Sequence, residues 1–173
     1  MMFQRITAVL VLVVALFYAL HQGYTEDGAQ GSPERWEEIA LIRLQVATDL
    51  DLRAENKRTV AIKLSSTSYY EAAGDALDGA GDDKFSASEN YQISNKYWQK
   101  VAEAYKTADE IIRANKAQAY ADTTWESAKR SLREGAKLYR SAIELYENDN
   151  SQDKGIETLK KVARNLERLL EMK

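Results

Sequence analysis

The chain has no cysteine among its 173 residues. That excludes disulfides, thiolate metal sites, iron–sulfur clusters, thiol nucleophiles and a lipidated N-terminal cysteine. The single histidine, His21, stands ahead of the region with helical periodicity. That region therefore has no imidazole to ligate a transition metal or to exchange protons near neutral pH. With one proline and eight glycines, obligatory turns are few and elements are long. An excess of basic charge is also missing: 24 Lys and Arg stand against 27 Asp and Glu, for a net charge of −3. That balance argues against a nucleic-acid partner. β-Branched residues are sparse while Ala, Glu, Lys and Leu are frequent, so the intrinsic preference is helical.

The chain begins with an apolar run. Arg5 precedes Ile6–Leu20, ITAVLVLVVALFYAL. One positive charge followed by such a run is the plan of a secretory signal. A membrane span needs about 20 residues, and the run falls slightly short of that. Residues 1–24 are thus expected to be a signal peptide or an uncleaved signal anchor, touching the membrane through residues 6–20. A buried core helix is the bland alternative. The positive-inside rule places the residues after Leu20 outside the cytoplasm. The expected location is the cell envelope, with the domain anchored in the cytoplasmic membrane or released as a secreted or periplasmic protein. Residues 25–32 are polar and Gly-containing and read as a flexible linker.

Residues 33–173 carry the domain. Ser32-Pro33-Glu34 has the chemistry of a helix start. Trp36, Ile39, Ile42, Val46 and Leu50 form a first stripe. The charged stretch 51–59 either continues this helix or breaks it, and Gly79 with Gly81 is expected to end it. Ser86 to Glu89 fits a capping box. A second stripe then runs Tyr91, Ser94, Trp98, Val101, Tyr105, Ala108, Ile112, Asn115 and Ala119. Thr123 to Glu126 fits another capping box, so a break is expected near Asp122. The third stripe, Trp125, Ala128, Leu132, Gly135, Tyr139, Ala142 and Tyr146, has the clearest alternation of three and four. Asn148 to Ser151 reads as a turn. A fourth stripe comes next, at Ile156, Leu159, Ala163, Leu166 and Leu170. Short connections imply an elongated antiparallel up-down bundle of about four helices, with the first two the longer. Narrow, Ala-rich stripes imply close packing without an internal cavity.

No catalytic constellation is evident, and no enzyme, cofactor or metal is expected. The acid pairs Glu37-Glu38, Asp49-Asp51, Asp82-Asp83 and Asp149-Asp153 read as solvated or dipole-compensating groups. A di-iron bundle would need Glu-x-x-His pairs. Ser65-Ser66-Thr67-Ser68-Tyr69-Tyr70 is the oddest run: a contact seam, a polar helix interface, or a bend where hydroxyls compete for backbone partners. The candidate contact surface is Arg53, Glu55, Lys57, Arg58, Ser65, Ser68, Tyr69 and Tyr70. Tyrosines and tryptophans on stripes read first as packing. Trp98, Tyr105 and Trp125 are the candidates for gripping a small apolar or aromatic ligand.

Gly135 to Tyr146, GAKLYRSAIELY, resembles one helix of a tetratricopeptide hairpin. Ala119-Tyr120-Ala121 ahead of a hairpin over Thr123 to Leu169 is similar to Ala-rich helical-hairpin domains of bacterial envelope proteins. The proline familiar after Tyr-Ala is replaced by Asp122. The resemblance implies an envelope location and a non-enzymatic role. The expected function is that of an accessory or scaffold protein of an envelope complex, acting by contact with protein partners or with further copies of itself. The alternative is a helical binding module for a small ligand.

Overall fold

A computed structural model describes residues 31–172. The expected leader, its apolar helix and its membrane contact lie outside the described residues. The described chain forms four helices: α1 (Pro33–Ser65), α2 (Tyr70–Thr107), α3 (Ile111–Asn148) and α4 (Gln152–Glu171). None of them is long and apolar enough to cross a membrane. The fold is an all-helical one of the bundle kind. At 1.5 Å per residue, α2 and α3 are each about 57 Å long. α2 packs along α1 and along α3, α3 packs along α4, and α1 meets α3 only marginally.

The start at Ser32 is as expected. Its hydroxyl accepts from the Arg35 N–H at 3.4 Å, and Pro33 opens α1. The turns are not where Gly and the capping-box patterns pointed. Three non-glycine residues in the left-handed region, Ser68 (φ 63°), Asp109 (φ 60°) and Asn150 (φ 59°), stand at equal intervals and end the three long helices. In each turn the next N–H reaches back to a carbonyl of the last helical turn. Tyr69 donates to Leu64 at 3.1 Å, Glu110 to Tyr105 at 2.8 Å, and Ser151 to Tyr146 at 2.8 Å. This closure satisfies carbonyls left over at a helix end.

Several expectations are thereby corrected. Residues 51–59 run unbroken through α1, and Asp122 lies inside α3. Gly79, Gly81 and both capping-box matches are interior to helices. The long helices are three, not two. Because the chain turns at 108–110, the second stripe loses phase there, and Ile112 and Ala119 are exposed.

The core is built from small residues at every seventh position. On α1 they are Ala40, Ala47, Ala54 and Ala61, all buried. On α2 two such series lie side by side. Ala73, Ala80, Ala87, Ser94 and Val101 form one, and Gly74, Gly81, Ser88, Asn95 and Ala102 the other. On α3 the series is Ala114, Ala121, Ala128, Gly135 and Ala142. The first α2 series meets α1: Ser94 Oγ donates to the Ala40 carbonyl at 2.8 Å. The second meets α3: Asn95 Nδ2 donates to the Ala121 carbonyl at 2.7 Å, and a Cβ on Gly135 would come within 3.3 Å of the Gly81 carbonyl. A side chain that bonds a neighbouring helix's backbone requires close axes, which only small residues allow. The third stripe is confirmed as core, with Leu132 and Tyr139 fully buried. The first is only half right: Val46 is exposed, and Ala47 takes the inward place.

Candidate interaction surface

α4 is attached by its polar face. Two copies of one arrangement, a heptad apart, hold it. Tyr139 lies fully buried against Gly81 and donates its hydroxyl to Asp82 Oδ1 at 2.8 Å. Lys161 of α4 donates to Asp82 at 3.0 Å and sits 5.6 Å from the Tyr139 ring centre. One heptad along, Tyr146 lies against Gly74 and donates to Asp75 at 2.9 Å. Lys154 donates to the same carboxylate at 2.8 Å and sits 5.7 Å from the Tyr146 ring. Between the two, Asp78 accepts from Thr158 at 3.0 Å and from Lys161 at 2.5 Å. Arg164 stacks over Phe85, its guanidinium carbon 4.0 Å from the ring centre. Fully buried Asn165 reaches the Leu132 carbonyl at 3.4 Å. Its Oδ1 has no hydrogen-bond partner among the described residues.

Burial and hydrogen bonding to Asp82 and Asp75 push the Tyr139 and Tyr146 hydroxyls far above the ordinary phenol range. Burial disfavours the charged form of Lys161, but the bonds to Asp78 and Asp82 outweigh it and hold the ammonium above its usual value. Bonds to Asp75 and Glu71 do the same for Lys154. The acids along this side of α2 are thus neutralised by α4. Among the described residues no cluster of His, Cys, Asp and Glu is gathered in the manner of a metal site.

The consequence is an inversion of α4. Thr158, Val162 and Asn165 are buried, while every member of the fourth stripe, Ile156, Leu159, Ala163, Leu166 and Leu170, is exposed. The expectation that this stripe packs into the bundle is overturned. The lysine and threonine contacts with α2, and the small residues of α3 beneath, take the opposite face.

The candidate contact residues on α1 divide. Arg53 and Lys57 are engaged internally. Arg53 pairs with Asp83 Oδ1, and Lys57 Nζ lies 2.8 Å from Asp83 Oδ2 and 3.0 Å from the Gly79 carbonyl. Burial of Asp83 works against its charge, yet these two cations hold its carboxyl below the usual range. Asp82 and Asp83, adjacent in sequence, therefore serve different neighbours. Glu55 and Arg58 line an open groove of about 610 Å³, together with Ile62, Lys84, Glu134 and Leu145. Lys84 bridges Asp51 at 2.9 Å and Glu134 at 2.6 Å, tying α1, α2 and α3 together. Ser65 to Tyr70 form the end of α1, the turn after it and the first residue of α2. Ser65 Oγ donates to the Ile62 carbonyl at 3.0 Å and Ser66 Oγ to that of Lys63 at 2.7 Å. The hydroxyls of this run do bond backbone carbonyls, but the helix ends here rather than bends. Tyr69 remains exposed there.

Of the three aromatic candidates, Trp98 and Tyr105 come together and Trp125 does not. A second groove, about 340 Å³, is lined by Glu34, Trp98, Tyr105, Arg113, Lys116 and Tyr120. Tyr120 stacks on Trp98 at 4.6 Å between ring centres. Trp125 packs in the middle of the bundle with Leu44 and Leu50. Sequence reasoning missed Tyr120 because it lay beside a break assigned at the wrong place.

The geometry defines an all-α protein of close-packed antiparallel helices, with one helix docked polar side in. No family model, curated protein or solved structure matches the chain.

Proposed function

We propose that the protein is a non-enzymatic scaffold or accessory subunit of the cell envelope, acting through protein–protein contact. The observation that carries this is the apolar stripe of α4, displayed to solvent while salt bridges occupy its other face. Contiguous exposed apolar surface marks an interaction site. The apolar leader supports a domain outside the cytoplasmic membrane, anchored or exported, and the tetratricopeptide-like character of Gly135 to Tyr146 fits an adaptor. The test is photo-crosslinking in cells from a reactive residue at Leu166, with Glu147 on α3 as control. Protein adducts at Leu166 alone support the reading; no adduct at either position overturns it.

A second reading has its own support. The rings of Trp98 and Tyr120, stacked on one another, line the 340 Å³ groove, with Arg113 and Lys116 at its rim. An aromatic ligand carrying negative charge would pack against those rings and meet the two cations. Native mass spectrometry of the purified protein, before and after organic extraction, tests for a retained small molecule.

A further inference from the structure

Within the scaffold reading, we infer that the partner of the α4 stripe is a second copy of the same chain, bound antiparallel across a two-fold axis. Ile156, Leu159, Ala163, Leu166 and Leu170 follow the three-four spacing of a coiled-coil seam. Four of the five are large and lie open: Ile156 is 57 % exposed, Leu159 58 %, Leu166 41 % and Leu170 62 %. The seam is not the edge of an internal interface, because the buried side of α4 is Thr158, Val162 and Asn165.

What selects a second copy is the charge and size pattern flanking that seam. Lys160 and Glu167 occupy the same heptad position one turn of the repeat apart, on the flank away from the bundle. The opposite flank is Val162 and Leu169, turned toward the bundle. In an antiparallel pair, residues at this flanking position meet their own kind across the axis. Lys160 of one copy then faces Glu167 of the other, and the contact occurs twice. The same alignment sets small Ala163 opposite Leu166 and Leu159 opposite Leu170. A parallel pair would instead set Lys160 and Glu167 against Gly155 and Val162, which offer no charge. Neither Lys160 nor Glu167 makes an ion pair among the described residues. Self-complementarity of one patch is what a two-fold interface requires.

The test is sedimentation velocity of the full chain in density-matched detergent, with circular dichroism at 222 nm as the fold control. The wild type is expected to be a dimer. Leu166→Glu should raise the dimer Kd on the order of 100-fold, since it buries a charge at the centre of the seam. The helical signal should stay unchanged, because Leu166 is not part of the core. Lys160→Glu and Glu167→Lys should each weaken the dimer, and the double exchange should restore it. With no native cysteine, a Lys160→Cys/Glu167→Cys chain should oxidise to a doubly cross-linked dimer. A monomeric wild type, a dimer indifferent to Leu166→Glu, or a double exchange that fails to restore association overturns the inference. If the chain is monomeric but the Leu166 cross-linker still captures a different protein, the antiparallel dimer is wrong and the scaffold reading stands. If it captures only lipid, both fall.

Discussion

At the scale of single residues, the glycines of α2 show how neighbours decide a sign. Exchanging a mid-helix glycine for alanine gains about 1 kcal/mol of helix propensity. At Gly79 the new Cβ would meet only the end of Lys57, at 3.3 Å from Nζ, and that side chain can move. At Gly81 it would run into the Tyr139 ring, which is fully buried and bonded to Asp82. Overpacking of this kind costs about 1–3 kcal/mol, so it outweighs the propensity gain. Gly79→Ala should therefore be neutral or stabilising, and Gly81→Ala destabilising by up to about 2 kcal/mol, in urea unfolding followed at 222 nm. A gain at Gly81 would show that the ring is not pinned. Ser68 gives the converse case. Its left-handed backbone, φ 63°, costs a side-chain-bearing residue about 1 kcal/mol that glycine does not incur. Ser68→Gly should raise stability by about that amount, and a loss would mean that the turn conformation is not strained.

At the scale of elements, α4 is attached chiefly through long polar side chains. Lys161→Met leaves Asp78 and Asp82, which face one another's charge along α2, without their shared cation. An uncompensated, partly buried carboxylate costs about 1–3 kcal/mol. The loss should fall on α4 locally: its amides should exchange faster, while those of α2 and α3 near Tyr91 and Leu132 keep their protection. Uniform loss of protection would mean that α4 and the rest unfold as one unit. How much of this was legible beforehand depends on the kind of signal each feature carries. The third stripe was legible because seven residues in unbroken three-four spacing have one explanation. Two of the three turns were not, because the left-handed residues there are a serine and an aspartate rather than glycines; the third was, since Asn148 to Ser151 has turn chemistry and α3 ends at Asn148. Gly79 and Gly81 misled as a helix end: Gly81 is small for the sake of the Tyr139 ring, as Gly74 is for Tyr146, not of a turn. The stripe of α4 was read correctly as a helix face and wrongly as a buried one. Periodicity reports that a face is apolar but not what lies against it. The site candidates fared similarly. Arg53 and Lys57 looked like surface charge, and only the position of Asp83 on a neighbouring helix shows them to be internal partners. Trp98 and Tyr105 meet because α2 places them one helical repeat apart, whereas Trp125 belongs to another layer.

At the scale of the whole molecule, the polar groups that join the helices nearly all respond to alkali in one direction. Lys84, Lys154 and Lys161 bind their protons more tightly than ordinary lysines, through Glu134 and Asp51, through Asp75 and Glu71, and through Asp78 and Asp82. Tyr91, Tyr139 and Tyr146 are likewise held neutral, by burial and by Asp51, Asp82 and Asp75. The unfolded chain releases these protons near pH 10, at about 10.4 for lysine and about 10 for tyrosine. The folded chain keeps them to higher pH. Between those limits the folded state binds more protons, so stability falls as pH rises. Their contribution is complete below about pH 10 and is lost as pH climbs through the folded values. Asp83 acts oppositely: with its carboxyl held low by Arg53 and Lys57, its contribution is complete above about pH 4 and is lost as pH falls through the folded value. The melting temperature should accordingly be flat between about pH 5 and 9, falling by several degrees on either side. The alkaline fall has a separate signature. The ultraviolet absorbance of tyrosinate should grow in two steps, the second coinciding with loss of the helical signal as the buried hydroxyls are released. A single step that precedes unfolding would mean that Tyr139 and Tyr146 ionise in place, which cannot be reconciled with hydroxyls bonded to carboxylates. Lys154→Met/Lys161→Met should shift the second step to lower pH by freeing α4, and the heptad-related staples would then be the joint that fails first.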